Sequence, residues 1–228
     1  MQANHTDAEL SDFLLKACHD LRGPLRTMRI HTELLNHNRS AANDQESEQS
    51  VEFIANGALA AAAVVDGIAD YALALAIDKS RFQMVPLDVM LRAAIAKLAT
   101  RIRETHTQVD YGELPGVMGD ADRLMQLFEY LLDHALRRGG SKGLAVKISA
   151  ESQNDQWLFT VCDDGPALAV EPPERVFTPF VRMHANQRPG PGLATCRAIV
   201  ERHGGRLWAE AESNGCVLRF SLPQSVQA

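Results

Sequence analysis

A histidine followed directly by an acid, His19 and Asp20, stands inside a long stretch with the periodicity of an amphipathic helix. Leu14 and Leu21 mark the packed side of that helix, so His19 falls beside the core and within reach of solvent. A neighbouring carboxylate can hold one ring nitrogen of an exposed imidazole protonated and free the other to attack an electrophile. His19 is therefore a candidate nucleophile, although a solitary helical histidine is more often a solvated surface residue.

The C-terminal half carries a carboxylate, Asp163, at the end of a predicted strand, with Gly165 shortly after it. A carboxylate at a strand end can accept a hydrogen bond from an amino group of a ligand, and glycine lets the backbone lie close to a flat ring. Gly190 and Gly192 precede a predicted helix that continues with Leu193. Glycines at a helix start expose backbone N–H groups to phosphates. Either glycine pair alone is more often a turn or a helix cap.

Charged side chains are concentrated in the helix predicted to open at Asp120 and to end near Arg138. Arg137 and Arg138 can pair with phosphate oxygens. A structural explanation for His134 in the same helix, as a partly buried residue with satisfied hydrogen bonds, stays open.

Composition and charge exclude several classes of protein. The 228 residues are 46% hydrophobic and 23% charged, which is ordinary globular usage. A net charge of -6 without a Lys/Arg run argues against nucleic-acid binding. No apolar run reaches the roughly 18 residues needed to cross a bilayer. We therefore expect a cytoplasmic chain without a membrane segment. The four cysteines form no CxxC pair, so we expect reduced thiols and no zinc site.

Two long helices are predicted for the N-terminal part. In the first, from about Asp7 to Asn38, apolar residues recur every seven positions. The polar stretch 36–50 is predicted to connect the helices, with a cap at Ser40 or Asn43. The second helix has a stripe of apolar positions: Val51, Ile54, Ala58, Ala61, Val65, Ile68, Ala72 and Leu75. An antiparallel hairpin cannot bury both stripes alone, so we expect a homodimer whose two hairpins make a four-helix bundle.

The pattern changes near 79–86, which predicts a hairpin domain over 1–80 and a second domain over 81–228. The second domain has predicted helices over 87–106, 120–138 and 192–203 and a long loop with one helical turn over 163–191. Its predicted strands are 108–111, a hairpin of 144–150 and 157–162, and a closing hairpin of 206–212 and 216–222. The predicted fold class is therefore α+β. A helical hairpin is followed by an α/β sandwich in which helices cover one face of a mixed sheet.

Five segments resemble, in order, the sequence boxes of two-component sensor histidine kinases, and together they cover the chain from about Asp7 to Leu222. The first, CHDLRGPL over 18–25, resembles the phosphoacceptor box. The others resemble the boxes of the family's ATP-binding domain: the asparagine box over 119–138, the first glycine box over 161–168, the phenylalanine box over 176–180 and the second glycine box over 189–197. The order of the five boxes is far more specific than any one of them.

The resemblance implies a transmitter with a phosphoacceptor hairpin and an ATP-binding domain of the GHKL type. It makes His19 the phosphorylated residue and Asp20 its acid/base partner. It also implies ATP with Mg²⁺ as the nucleotide, bound by a set of residues in the second domain: Asp163, Gly165, Gly190, Gly192, Leu193, Arg137 and His134.

Departures from the family's usual pattern imply a degenerate nucleotide site. Tyr130 and His134 stand where the family usually has asparagines, the second of which reaches the Mg²⁺ on the ATP phosphates. Imidazole is a poor Mg²⁺ ligand, whereas the ion prefers oxygen. Two hypotheses remain open: either Asp133 or Glu129 supplies oxygen ligands from a neighbouring position, or the site is catalytically impaired.

Three functions are compatible with this pattern. The first is a kinase core that phosphorylates His19 with ATP and passes the phosphoryl group to an aspartate of a response-regulator receiver domain. The second is a histidine phosphotransferase that relays phosphoryl groups between receivers with an ATP domain that no longer binds nucleotide. It is favoured by the departures from the family pattern: Tyr130, His134, Ala167, Arg188, Pro189 and Pro191. The third is a non-catalytic dimeric scaffold that docks receivers.

The hairpin is also the predicted docking surface. Arg22, Arg26 and Arg29 follow His19 and could meet the acidic mouth of a receiver, although a solvated basic face explains them equally well. Gly23 stands where the family most often has Thr or Asn, which positions water for dephosphorylating the partner. The resemblance therefore does not extend to phosphatase activity.

Overall fold

The computed structural model describes six stretches of the chain: 3–37, 44–139, 143–166, 172–180, 192–210 and 215–224. These residues fall into two compact units. The first takes the described residues as far as Asp70 together with 179–180, and the second takes the others. The domain boundary predicted at residue 80 stays a prediction.

Two long helices form most of the first unit, as the apolar periodicity predicts. Helix α1 covers Ala3–His37 and helix α2 covers Asp44–Leu75. Helix α2 begins at Asp44, so residues 45–50, which were predicted to belong to the connection, are helical. Their Gln, Glu and Ser side chains are compatible with a helix. The predicted caps at Ser40 and Asn43 lie outside the described residues.

A glycine brings the two helices into close contact. A Cβ at Gly57 would lie 2.7 Å from Met28 Cγ and 3.1 Å from the Pro24 carbonyl oxygen. By contrast, Val51 and Val65 of the predicted apolar stripe are 56% and 53% exposed. The stripe predicted for α2 is therefore largely left uncovered within a single chain.

The second unit contains seven strands among its described residues: Gln83–Pro86 (β1), Thr107–Tyr111 (β2), Gly116–Gly119 (β3), Leu144–Gln153 (β4), Gln156–Asp163 (β5), Leu207–Glu210 (β6) and Cys216–Pro223 (β7). Five of them form one sheet in the order β2-β4-β5-β7-β6. The β2–β4 pair is parallel and the other pairs are antiparallel, so the sheet is mixed and the predicted α+β class is confirmed.

The antiparallel pair of β1 and β3 was not predicted from the sequence. Each strand has four residues, which is too short for an alternating pattern to be recognised. The predicted β4–β5 hairpin is present, and Asn154 and Asp155 close it with φ values of 47° and 60°. Two residues with positive φ suit a tight hairpin turn.

The helices of the second unit are Leu87–Lys97 (α3), Ala99–Glu104 (α4), Ala121–Gly139 (α5) and Gly192–Arg202 (α6). The single helix predicted over 87–106 is wrong, because Leu98 adopts φ −94° and ψ 5° and caps both α3 and α4. Helix α5 packs on the sheet, where Phe128 meets Phe220 edge-on at 6.3 Å and Phe220 stacks on Phe159 at 4.5 Å.

A short 3-10 helix, Pro173–Phe177, supplies the helical turn predicted for the long loop. The remainder of that loop over 167–171 and 181–191 lies outside the described residues.

One helix in the described part of the chain, over Gln45–Leu75, has the length and apolar composition that a membrane span needs. Core helices and signal sequences meet the same two criteria, so the criteria alone do not decide its role. The expectation of a chain without a membrane segment therefore stays a prediction.

Candidate functional site

His19 and Asp20 are neighbours on α1 but lie in different surroundings. The imidazole of His19 is 84% exposed, whereas the side chain of Asp20 is 8% exposed. His19 Nδ1 lies 3.4 Å from Asp20 Oδ1. With the proton on Nδ1, the ring donates to Asp20 and leaves the lone pair of Nε2 free. This arrangement suits a histidine that attacks an electrophile arriving from solvent.

The basic residues after His19 are exposed on the same helix. Arg22 and Arg26 face solvent, and Arg29 forms an i,i+4 ion pair with Glu33 at 3.9 Å. A solvated basic face and a docking surface make the same contacts within one chain, so the docking role stays a prediction.

Asp163 is the last residue of β5. Its side chain is 4% exposed, and its Oδ1 accepts a hydrogen bond from the Gly165 N–H at 3.0 Å. A Cβ at Gly165 would lie 2.8 Å from Asp163 Oδ1 and 3.1 Å from Leu144 Cδ1. Glycine is therefore needed for the close approach that delivers this N–H to the carboxylate.

Arg138 meets Asp163 from the last turn of α5. Its Nε donates to Asp163 Oδ2 at 3.2 Å, and its Nη2 donates to the Pro166 carbonyl. The side chain of Arg138 is 1% exposed. Burial raises the pKa of Asp163, and the positive charge of Arg138 opposes that rise. The sequence suggested a phosphate partner for Arg138, whereas this arginine is bonded to the candidate base-binding carboxylate.

The two acids predicted as metal ligands are both in ion pairs. Asp133 accepts from Arg137 Nε at 2.6 Å and from Arg101 Nη1. Glu129 pairs with Lys97 of α3, with 2.7 Å between the charged atoms. Across the described ranges, no three or more His, Cys, Asp and Glu side chains are grouped so that they could hold a metal ion. The ion pairs tie α5 to α3 and α4 and give no support to a Mg²⁺ site at these acids.

Two further predicted nucleotide residues also lie on α5. His134 is buried, with 7% of the residue exposed. The burial agrees with the structural explanation that the sequence left open, whereas the satisfied hydrogen bonds of that explanation stay a prediction. Arg137 is partly buried, and burial lowers the pKa of its guanidinium. Desolvation of a cation is offset when an anion binds it, so Arg137 remains suited to a phosphate.

Helix α6 begins at the second glycine box. Gly192 has φ +22°, a conformation that favours glycine, and no described atom lies within 4 Å of where its Cβ would be. Leu193 and Thr195 are buried. Gly190, Ala167 and the segment 188–191 lie outside the described residues.

Arg197 of α6 holds the 3-10 helix, a role that the sequence did not reveal. Its guanidinium lies over the Phe177 ring at 4.1 Å, and its Nη2 donates to Glu174 and, at 3.4 Å, to the Leu207 carbonyl. The sequence shows only an arginine in the second glycine box, a phenylalanine in the phenylalanine box and an acid just before it, and their spacing does not specify a contact.

His203 is a second residue whose role the sequence did not reveal. Its Nε2 accepts from the Asp120 N–H at 3.0 Å, and its Nδ1–H donates to the Ile199 carbonyl at 2.7 Å. The ring stacks on Phe82 at 4.6 Å, and a Cβ at Gly119 would come within 2.7 Å of it. Burial lowers the pKa of His203, so the neutral ring is favoured.

Comparisons of the sequence and of the structure with known proteins agree on one family. Residues 119–226 match the model described as Histidine kinase-, DNA gyrase B-, and HSP90-like ATPase. The phytochrome-like protein Cph1 of Synechocystis sp. is 32% identical over 224 residues, which cover 96% of the chain and 30% of Cph1. The catalytic domain of the histidine kinase ThkA is 28% identical with a TM-score of 0.57, covering 64% of the chain and 97% of that domain. These matches support a histidine kinase transmitter.

A further solved structure shows the fold of the transmitter over almost its whole length. The complex of the histidine kinase ThkA with the response regulator protein TrrA contains a chain that is 21% identical, with a TM-score of 0.70, over 97% of the transmitter and 64% of that chain. The transmitter spans about 30% of the length of the first two curated relatives that it matches.

Proposed function

We propose that this transmitter is the kinase core of a two-component system, in which ATP phosphorylates His19 and the phosphoryl group then passes to an aspartate of a response-regulator receiver domain. The observation that carries the proposal is the exposed His19 beside the shielded Asp20, on a chain that also has an ATPase domain. The domain division, 1–80 for the hairpin and 81–228 for ATP binding, belongs to the same proposal.

The proposed first step is an in-line transfer to nitrogen. His19 Nε2 attacks the γ-phosphorus of ATP, the N–P bond forms, and the bond to the β–γ bridging oxygen breaks, so ADP leaves with that electron pair. Asp20 accepts the hydrogen bond from Nδ1–H and stabilises the positive charge that develops on the ring. In the second step the receiver aspartate attacks the same phosphorus, and the N–P bond breaks to restore neutral His19.

The described residues fit the adenosine part of ATP. Asp163 offers a carboxylate to the amino group of adenine, and Gly165 keeps the adjacent backbone free of a side chain. In this proposal the N–H groups at the start of α6, at Gly192 and Leu193, bind the phosphates, which the positive end of the helix dipole favours. Arg137 supplies a cation, and Gly190 is assigned to the same loop by resemblance.

The described residues fit Mg²⁺ less well than they fit ATP. Glu129 and Asp133 are bonded to Lys97, Arg101 and Arg137, and His134 is a buried imidazole. A hard cation prefers free oxygen ligands. The steps proposed for His19 are therefore assigned to protein side chains and the nucleotide alone.

One observation favours the phosphotransferase as a second candidate. Both oxygens of Asp163 already accept hydrogen bonds from within the chain, and the side chain is 4% exposed. In this arrangement the adenine base of ATP would have to reach a buried carboxylate whose two oxygens already accept hydrogen bonds. Calorimetric titration with Mg·ATP separates the two candidates, because clear binding removes the phosphotransferase and its absence removes the kinase.

The uncovered apolar stripe on α2 supports the proposal of a homodimer. Two residues of the stripe, Val51 and Val65, are more than half exposed on a single chain, and so is Leu59 next to Ala58 of the stripe. Burying this apolar surface in a four-helix bundle is favourable at about 25 cal/mol per Å². We also propose a cytoplasmic location, which the four free cysteines support.

The test of the kinase proposal is incubation with ATP labelled on the γ-phosphate. Wild type should acquire label that is stable in alkali and lost in acid, as expected for a phosphorus–nitrogen bond. His19→Gln should acquire none, whereas His106→Gln, at an exposed histidine outside the hairpin, should label as wild type does. Equal labelling of His19→Gln and wild type would contradict the proposal. Chase with a receiver domain then tests the second transfer.

A further inference from the structure

Arg138 is attached to the candidate nucleotide site by two hydrogen bonds. One runs from Nε to Asp163 Oδ2 at 3.2 Å, and the other runs from Nη2 to the Pro166 carbonyl. Nη1 is buried and has no hydrogen-bond partner among the described residues. The bonds join the end of α5 to the end of β5 and to the turn beyond Gly165.

This attachment fixes the direction of the carboxylate and favours its charged form. Asp163 Oδ1 is held by the Gly165 N–H at 3.0 Å and Oδ2 by Arg138, so the carboxylate cannot rotate freely. The groups around it are Arg138 of α5, Asp164 in the following turn, and Cys216 on the paired strand β7. Arg138 is the cation in this set, and it opposes the effect of burial, which raises the pKa of Asp163. An ionised carboxylate accepts a stronger hydrogen bond than a protonated one.

We infer that Arg138 is a positioning residue for base recognition: it holds the Asp163 carboxylate oriented and stabilises its charged form, so that the site selects a purine with a 6-amino group. Arg138 acts through Asp163 and makes no contact with phosphate. The inference rests on the proposed ATP binding and adds to it the residue that sets base selectivity. Arg137, the next residue, is bonded to Asp133 instead and has no part in this selection.

The experiment measures base selectivity by calorimetry. ATP is compared with purine riboside triphosphate, which carries hydrogen in place of the 6-amino group, on wild type and on Arg138→Met, Arg138→Lys and Arg137→Met. Wild type should prefer ATP by at least about tenfold, because a site built to bond a polar group rejects an analogue that lacks it. In Arg138→Met the preference should fall towards one, mainly through weaker ATP binding, and Arg138→Lys should recover part of it. Arg137→Met should weaken both nucleotides equally.

A pH series gives the second readout. Without Arg138 the pKa of Asp163 rises further, so the affinity of Arg138→Met for ATP should begin to fall at a higher pH than that of wild type. The analogue should show no such difference. Arg138→Lys keeps a cation at this position and serves if the methionine variant does not fold.

The outcomes separate the inference from the proposed function. An unchanged preference for ATP in Arg138→Met, or equal weakening of both nucleotides with an unchanged pH profile, would overturn the inference and leave ATP binding intact. Wild type that binds neither nucleotide would overturn the proposed function and the inference with it.

Discussion

Arg138 and Asp163 form a buried ion pair at 3.2 Å that joins the last turn of α5 to the end of the central strand β5. Water cannot solvate either charged group in place of its partner, since the side chains of Arg138 and Asp163 are 1% and 4% exposed. The pair therefore matters to the stability of the second unit as well as to the site.

Removing one member of this pair should destabilise the second unit. Arg138→Met leaves a buried carboxylate without its cation, and such a loss costs about 3–5 kcal/mol. The double variant Arg138→Met/Asp163→Leu should recover most of that free energy, because no charge then remains buried. Urea unfolding followed by the fluorescence of Trp157 and Trp208, which lie on sheet strands, measures both. A double variant no more stable than the single one would contradict the prediction.

The stability of the second unit should fall in mild acid because of His203. Burial lowers the pKa of His203, with Lys79 acting in the same direction and Asp120 and the bond to Ile199 opposing it. The unfolded state therefore binds the proton first. The stabilisation is complete above about pH 6.5, the ordinary histidine value, and is lost as pH falls from there towards the lower folded-state pKa.

The measurement for His203 is the free energy of unfolding between pH 7.5 and about pH 5. His203→Gln should be less stable at neutral pH and should show a shallower loss in acid. His106→Gln, at an exposed site, should keep the wild-type slope. Identical slopes in wild type and His203→Gln would remove this explanation.

The close approach of α1 and α2 predicts opposite effects for two glycine substitutions. Gly57→Ala should destabilise the hairpin, because its Cβ would lie 3.1 Å from the Pro24 carbonyl and 2.7 Å from Met28 Cγ. Gly23→Ala should stabilise α1 by up to about 1 kcal/mol, since alanine is the better helix former and no described atom crowds that position. Thermal unfolding followed by far-ultraviolet circular dichroism compares them, and equal shifts would contradict the packing argument.

The apolar stripe of α2 predicts how the dimer can be dissociated. Val65→Glu places a charge on the stripe and should convert the dimer to a monomer, because burying an unpaired carboxylate is costly. Asn56→Glu adds the same charge at an exposed position off the stripe and should leave the mass unchanged. Light scattering coupled to size-exclusion chromatography gives the mass, and a dimeric Val65→Glu would place the interface elsewhere.

Elements with a local, repetitive signal could be predicted from the sequence. The long helices, the β4–β5 hairpin and the helix α6 follow from apolar periodicity and turn residues within each segment. Strands β1 and β3 could not, since each has four residues and exists only because the other lies beside it. The break at Leu98 was missed for a similar reason: the residues on both sides favour helix, and a single change of backbone angle separates α3 from α4.

The sequence by itself determined the candidate residues: His19 next to Asp20, Asp163 before Gly165, and the glycine at the start of α6. This was possible because residue type and order along the chain do not depend on the fold. Tertiary structure alone decided the partners of the charged groups. Arg138 is bonded to Asp163 and not to Asp133, and Arg137 is bonded to Asp133. The physical reason is that adjacent residues on a helix point in directions about 100° apart. Which of the two arginines reaches the sheet therefore depends on how α5 packs.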